Sequence, residues 1–374
     1  MIDRILAIAR KEFYQIWRDK RSLGLLAFVP TFTLLLFGFA LSLDVKNIRL
    51  AIADEDHTRE SRELVAALRH GESFDLRGAV GSRADVRRVI EGDRADVVLV
   101  IPEGFSRRLL RGERADVQVV IDGSNASVAA AAAGFVDAYA RAYSIELQMH
   151  LLDRAGRRIV QPVDYRPRVW FNPELKSSRY LVPGLMGYVM IITTVISTAL
   201  SIVREKERGT FEQIQVSPAT IPEFMIGKMI PYFFIACLLA VGIVLAGWLL
   251  FDVPVRGSIP MLSIALLLFI IGGLGMGLVI STAAQTQEAA FLLATVTTAL
   301  PTQLLSGFIF PIENMPPILQ AITTIVPAKY LLAILRAVLL KGAPLEAYWP
   351  SLAALVVFAL GTVSAAILRL RRRV

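Results

Sequence analysis

The sequence predicts an α-helical membrane protein: six transmembrane helices, N-in and C-in, with an α/β extracytoplasmic domain inserted after the first helix. Three observations predict it. Runs of about 20 apolar residues, the length that spans a bilayer, recur six times, approximately at Ser22–Leu43, Leu181–Val203, Phe224–Phe251, Ile259–Ala283, Ala289–Phe310 and Trp349–Leu368. Both ends of the chain are basic. Between the first two runs lies a long stretch of ordinary soluble composition.

Residues 1–21 open the chain as an amphipathic interfacial helix. Ile2, Ile5, Leu6, Ala9, Phe13, Ile16 and Trp17 recur at three- and four-residue spacing, with Arg4, Arg10, Lys11 and Arg18 on other faces. Such a helix lies in the headgroup layer, or serves as a juxtamembrane segment that helps set topology. Short flanks rich in Lys and Arg stay in the cytoplasm, and this segment holds six basic residues against Asp3, Glu12 and Asp19. The tail at 369–374 adds Arg369, Arg371, Arg372 and Arg373. Lys329, Arg336 and Lys341 run against this orientation, since six spans place them outside. The first span, 22–43, lacks a small-residue cleavage site and reads as a retained anchor.

Residues 44–180 form the inserted domain. IRLAIAD (48–54), FDLRGAV (74–80), ADVVLVIP (95–102) and ADVQVVIDG (115–123) read as strands, with short helical segments between them and a longer helix over 126–153. The stretch carries 22 basic and 21 acidic residues, so nearly all of the net +8 sits in the apolar half, where anionic lipid is its natural partner. No basic stripe with stacking aromatics appears, which argues against nucleic acid. His57, His70 and His150 are not at metal-ligand spacing, Cys237 is the lone cysteine, and no GxSxG or HExxH occurs. No metal site or catalytic residue is predicted. DEDH (54–57) reads as a solvated turn after a strand.

Residues 181–368 hold the remaining five spans. Thr194, Ser197 (or Thr198) and Ser201 share a face of the second, and Thr295, Thr298, Thr302 and Ser306 share one of the fifth, with Gln303 adjacent and Pro301 bending the helix. Hydroxyls in spans often only bond their own backbone or bridge helices. The alternative is that Thr194, Ser197, Ser201, Thr298, Thr302 and Gln303 line a translocation path. No ionisable residue occupies a span centre, which leaves a transporter without its own proton or ion relay.

Between spans two and three lies REKERGTFEQIQVSP (204–218), with signs alternating from Arg204 to Arg208. Thr210 and Gln213 have capping-box spacing, so a short helix is expected from Phe211 until Pro218 stops it. Acids contribute little to topology, so alternating signs fit a protein contact better than a topogenic loop.

This block, followed by IGKMIPY (226–232), together with FNPELKSSRYLVPGLM (171–186), SGFIFPIENMP (306–316) and VPAKYLLAILRAVLLKG (326–342), resembles the permease subunits of ABC-2 type exporters over essentially the whole chain. The large domain after the first span is similar to the bacterial multidrug or lipid exporter type. The resemblance implies a cytoplasmic coupling helix at 205–217, with Glu205, Glu207, Arg208, Gly209, Thr210, Phe211, Glu212 and Gln213 contacting an ATPase subunit. It also implies a second docking element carrying Arg10, Lys11 and Trp17, and re-entrant helices at 311–342. No GxxxxGK[ST] occurs, so ATP and Mg belong to a separate P-loop partner and this chain carries no cofactor. Further implied partners are a second permease copy or paralogue, the lipid bilayer and a periplasmic membrane-fusion adaptor, in a bacterial cytoplasmic (inner) membrane. A membrane sensor whose outer domain binds a ligand is the alternative; a cytoplasmic output domain is what it lacks in this sequence.

Overall fold

The computed structural model describes residues 2–40, 47–69, 73–154, 170–173, 176–209 and 220–371. The chain divides into two compact units, one of residues 43–168 and one of residues 1–42 and 169–374.

The second unit begins with α1 (Ile2–Arg18) and α2 (Lys20–Ala40). The smaller unit then follows as β1 (Ile48–Asp54), α3 (Arg59–Arg69), β2 (Phe74–Ala79), α4 (Val86–Glu91), β3 (Val97–Ile101), α5 (Phe105–Leu110), β4 (Gln118–Ile121) and α6 (Ala126–Arg154). Its strands lie in the order β2-β1-β3-β4, with β1 parallel to both β2 and β3, and β4 antiparallel to β3. Successive side chains of a strand point to opposite faces. Ile48, Leu50, Ile52, Val97, Leu99 and Ile101 therefore face α3, α5 and α6, while Ala51, Ala53, Val98 and Val100 face α4. The DEDH turn has a structural task. The Asp56 carboxylate accepts bonds from the Gly104 amide (2.7 Å), the Ser106 amide (2.9 Å) and the Thr58 hydroxyl (2.7 Å), tying the loop after β1 to the loop after β3. Partial burial raises its pKa, but these donors outweigh that and hold it below the usual carboxylate range.

The larger unit continues with α7 (Ser177–Glu207), α8 (Ile221–Phe251), α9 (Ile259–Ala283), α10 (Gln287–Leu305), α11 (Pro317–Thr323), α12 (Pro327–Leu335, extended by a π turn to Lys341) and α13 (Trp349–Arg371). Among the described residues, five helices (α7, α8, α9, α10 and α13) are long and apolar enough to cross a membrane, or up to six if α11 and α12, bent by 84°, count as one broken span or re-entrant loop. The described apolar part of α2, Phe28–Phe39, is shorter than a span, and residues 41–46 lie outside the described set. The fifth predicted run stops short at Leu305 and contains a π turn at Thr295–Ala299, just before Pro301, whose missing N–H disrupts the regular ladder.

α7 is the core of this unit: Val182, Leu185, Met186, Ile191, Val195, Ala199 and Ile202 are buried along its length. Lipid offers no hydrophobic drive for helices to associate, so close backbone approach must supply the packing. GGLGMG (272–277) in α9 provides it. A Cβ at Gly277 would lie 2.5 Å from the Val195 carbonyl of α7, and one at Gly275 2.7 Å from the Thr362 hydroxyl of α13.

Candidate coupling site

The alternating charges from Arg204 to Glu207 finish α7, which runs to Glu207, and Gly209, at φ +68°, lets the chain leave it; the helix expected from Phe211 lies outside the described residues. Three of these charges reach neighbouring elements. Arg204 reaches Asp19 and Gln287, both at 3.3 Å. Lys206 donates to the Ser281 carbonyl and, at 3.3 Å, to that of Ala284, where cationic charge suits the C-terminal dipole of α9. Glu207 accepts from the Gln287 amide at 2.7 Å and from its side-chain amide, at the N-terminus of α10 where anionic charge is favoured.

Glu205 turns inward and is 7% exposed. Its carboxylate meets Lys228 at 2.9 Å and Lys11 at 3.0 Å. Lys228, about two helical turns inside α8 and 1% exposed, also binds Glu12 of α1 at 3.0 Å. Two lysines and two glutamates thus form one neutral cluster joining α1, the end of α7 and the start of α8. Gly227 sits beside it. A Cβ there would stand 2.8 Å from Ile8 Cβ, so α1 lies almost on the α8 backbone. α8 itself starts at a capping box, in which the Glu223 carboxylate accepts from the Thr220 amide at 2.7 Å.

Of the residues that resemblance assigns to the ATPase contact, Glu207, Arg208 and Gly209 are exposed, whereas Glu205 belongs to the buried cluster. Thr210, Phe211, Glu212 and Gln213 lie outside the described residues. On α1, Lys11 joins the cluster, Trp17 is exposed, and Arg10 stands over the Tyr14 ring with its guanidinium 5.7 Å from the centroid. Glu12 and Lys228 were not among the predicted site residues. The signal for them was present: between Glu223 and Asp252, Lys228 is the one charged residue of an apolar helix, and such a cation needs a carboxylate.

The cluster borders a cavity of about 1280 Å³ whose walls come from α1, α2, α7, α8 and α10. Ser197 and Ser201 line it, together with Tyr188, Thr193, Thr295 and Tyr232, which sequence reading left out of the candidate path. Thr194 is buried elsewhere, its hydroxyl donating to the Met190 carbonyl at 2.8 Å and its side chain filling the space at Gly273. Thr298 and Thr302 are buried away from the cavity, Thr298 bonding the Ala294 carbonyl at 2.5 Å, and Gln303 is half-buried. The Thr194 and Thr298 hydroxyls thus bond their own helices. Tyr188 stacks on Phe308 (centroids 5.8 Å apart), and Phe308 occupies the space over Gly184. Arg336 braces this neighbourhood, donating to the Gly307 carbonyl at 2.7 Å and covering the Tyr180 ring at 3.9 Å. Among the described residues, no three His, Cys, Asp or Glu side chains converge as metal ligands would.

A family model described as ABC-2 family transporter protein matches residues 20–368. The chain belongs to the ABC-2 transporter family. It is a multi-pass membrane protein, as that family and its apolar helices require. Among ABC-2 relatives, the Escherichia coli (strain K12) "Probable multidrug ABC transporter permease YbhR" is 32% identical over 374 residues, all of both chains. The YbhS permease of the same strain is 30% identical over 340 residues, 91% of this chain and 89% of its own. "Inner membrane transport permease YhhJ", also from that strain, is 26% identical across 99% of this chain and 97% of its own.

Proposed function

We propose that this chain is the membrane-spanning permease subunit of an ABC-2 exporter that moves an amphipathic small molecule, drug-like or lipid, outward from the cytoplasm or inner leaflet. ATP, with its Mg, is hydrolysed on a separate P-loop subunit. The observation that carries the proposal is the neutral cluster of Lys11, Glu12, Glu205 and Lys228, which binds α1 to the end of α7 and the start of α8, the two helices that segment 210–219 joins in sequence, and opens on the cavity. A push on that segment reaches α7, α8 and α1 at once, and all three line the cavity. The multidrug permease names of YbhR and YbhS support the same reading. In it, both termini are cytoplasmic, residues 43–168 lie outside the bacterial inner membrane, a second permease copy or paralogue completes the path, and a periplasmic adaptor joins the outer domain. Ser197, Ser201 and Tyr188 contact the passing substrate, while Glu207 and Arg208 touch the ATPase.

The test is to assemble the complex with its ATPase subunit in vesicles and measure ATP hydrolysis and substrate export together. Arg208→Glu, at an exposed position, should leave the permease folded but lower export per ATP at least tenfold. Unchanged coupling in Arg208→Glu and in Glu207→Gln would sink the proposal.

A further inference from the structure

Between α1 and α8 lies a second groove of about 620 Å³, lined by none of the four residues of the ion cluster. Leu6, Phe13 and Trp17 form one wall, Ile230 and Phe234 the other, and Phe13 and Phe234 approach with centroids 6.2 Å apart. Arg10 stands at its rim. Among the described residues, Arg10 and Arg18 pair with no carboxylate, whereas Lys11 and Glu12 are consumed by the cluster. The apolar wall does not end with the groove. Ile230, Phe234, Leu238, Val241 and Leu245 follow one another at helical spacing, and the last four are exposed. On a membrane span that stripe faces hydrocarbon.

We propose that this groove is a binding site for one anionic glycerophospholipid, its phosphate on Arg10 and an acyl chain laid over Phe13, Phe234 and the stripe below. The inference rests on the membrane reading of α8. A positively charged rim above an apolar slot that runs into the bilayer matches this ligand at both ends. A second copy of the chain fits worse, because a two-fold contact would present the same groove lining, which holds no carboxylate to meet Arg10. Because α1 is bolted to α7 and α8 through Glu12, Lys228 and Glu205, the lipid would help to hold the element that borders the cavity.

The test uses the full chain in phosphatidylcholine vesicles, with Trp170, Trp248 and Trp349, all of them exposed, changed to Phe so that Trp17 alone reports. Brominated phosphatidylglycerol should quench Trp17 at about one fifth of the mole fraction that brominated phosphatidylcholine needs, the effect expected of one basic residue at an anionic lipid. Arg10→Gln should bring the two lipids to parity and Arg10→Lys should keep the preference. Parity in the parent, or a preference that survives Arg10→Gln, overturns the site. So does the same preference in a variant whose sole tryptophan is Trp349, which would mean bulk charge and no site. A Phe13→Cys disulfide between copies, with Trp17 shielded from both labels, assigns the groove to a second chain and overturns the lipid. Failure of the chain to co-fractionate with vesicles defeats the membrane reading itself, a separate result.

Discussion

Replacing Lys228 by Met keeps the length of the side chain and removes its charge. The ammonium it deletes lies 3.0 Å from Glu12 and 2.9 Å from Glu205, whose side chains are 4% and 9% exposed. Lys11 is left as the one cation for two carboxylates, and at 49% exposure and 3.9 Å from Glu12 it neutralises the second poorly. Removing one partner from a buried ion pair costs about 3–5 kcal/mol, because the other charge remains without compensation. That loss falls on the joint of α1 with α8, where no side chain at Gly227 can add packing. Lys228→Met with Glu12→Leu removes a whole pair and leaves Lys11 facing Glu205 one to one, so stability should return close to the parent. Thermal unfolding in detergent, followed by protease sensitivity of residues 2–18, reads both effects. The single variant should unfold at a markedly lower temperature and expose α1 to cleavage, and the double variant should recover. If Lys228→Met unfolds and resists protease like the parent, the cluster does not hold these helices and the reasoning fails.

Gly227→Val places a branched side chain where a Cβ already stands 2.8 Å from Ile8 Cβ. Overpacking of that kind should cost about 1–3 kcal/mol and, in the same protease assay, release α1 with the ion pairs chemically intact. Arg336→Met removes the bond to the Gly307 carbonyl and the cation over Tyr180. It should cost about 2 kcal/mol and speed hydrogen exchange at residues 307–310. The Asp56 carboxyl is held below its unfolded pKa, so its contribution to the α/β unit is fully present above about pH 4 and fades as pH falls through the lower folded value. Hydrogen exchange of β1 and β3 in the full chain should therefore accelerate on acidification in the parent, with a weaker acid dependence in Asp56→Asn.

The strands were readable because their signal is local. In β1 the large Ile48, Leu50 and Ile52 alternate with Ala51 and Ala53, β3 is apolar throughout, and the sheet places helices on both faces accordingly. The helices that make up most of the larger unit were equally plain from length and hydropathy alone. What sequence left undecided depends on partners far away along the chain. Glu205 stands among alternating charges that all look solvated, and its inward turn is set by Lys228 and by Lys11, 194 residues away. The hydroxyl stripe on the fifth predicted span looked uniform, yet the π turn at Thr295–Ala299 rotates its members differently, so Thr295 reaches the cavity while Thr298 and Thr302 are packed away. The capping box expected at Thr210 lies outside the described residues; a second one, T-x-x-E at Thr220, starts α8 and was not singled out.

The neutral cluster has a mechanical corollary. Its four charges balance among themselves, so α1, the foot of α7 and the foot of α8 can shift as one body with little change in solvation, while pulling out α7 with Glu205, or α8 with Lys228, would leave an uncompensated charge. Stiffness at that end concentrates compliance elsewhere. Pro30 of α2 and the loosened turn in α10 are places along the cavity wall where the backbone has given up regular bonding, and Pro231, three residues beyond Lys228, is another in α8 next to the wall residue Tyr232. A structure clamped at its base and weakened partway up bends rather than slides, and the cavity would widen or narrow as a hinged jaw does.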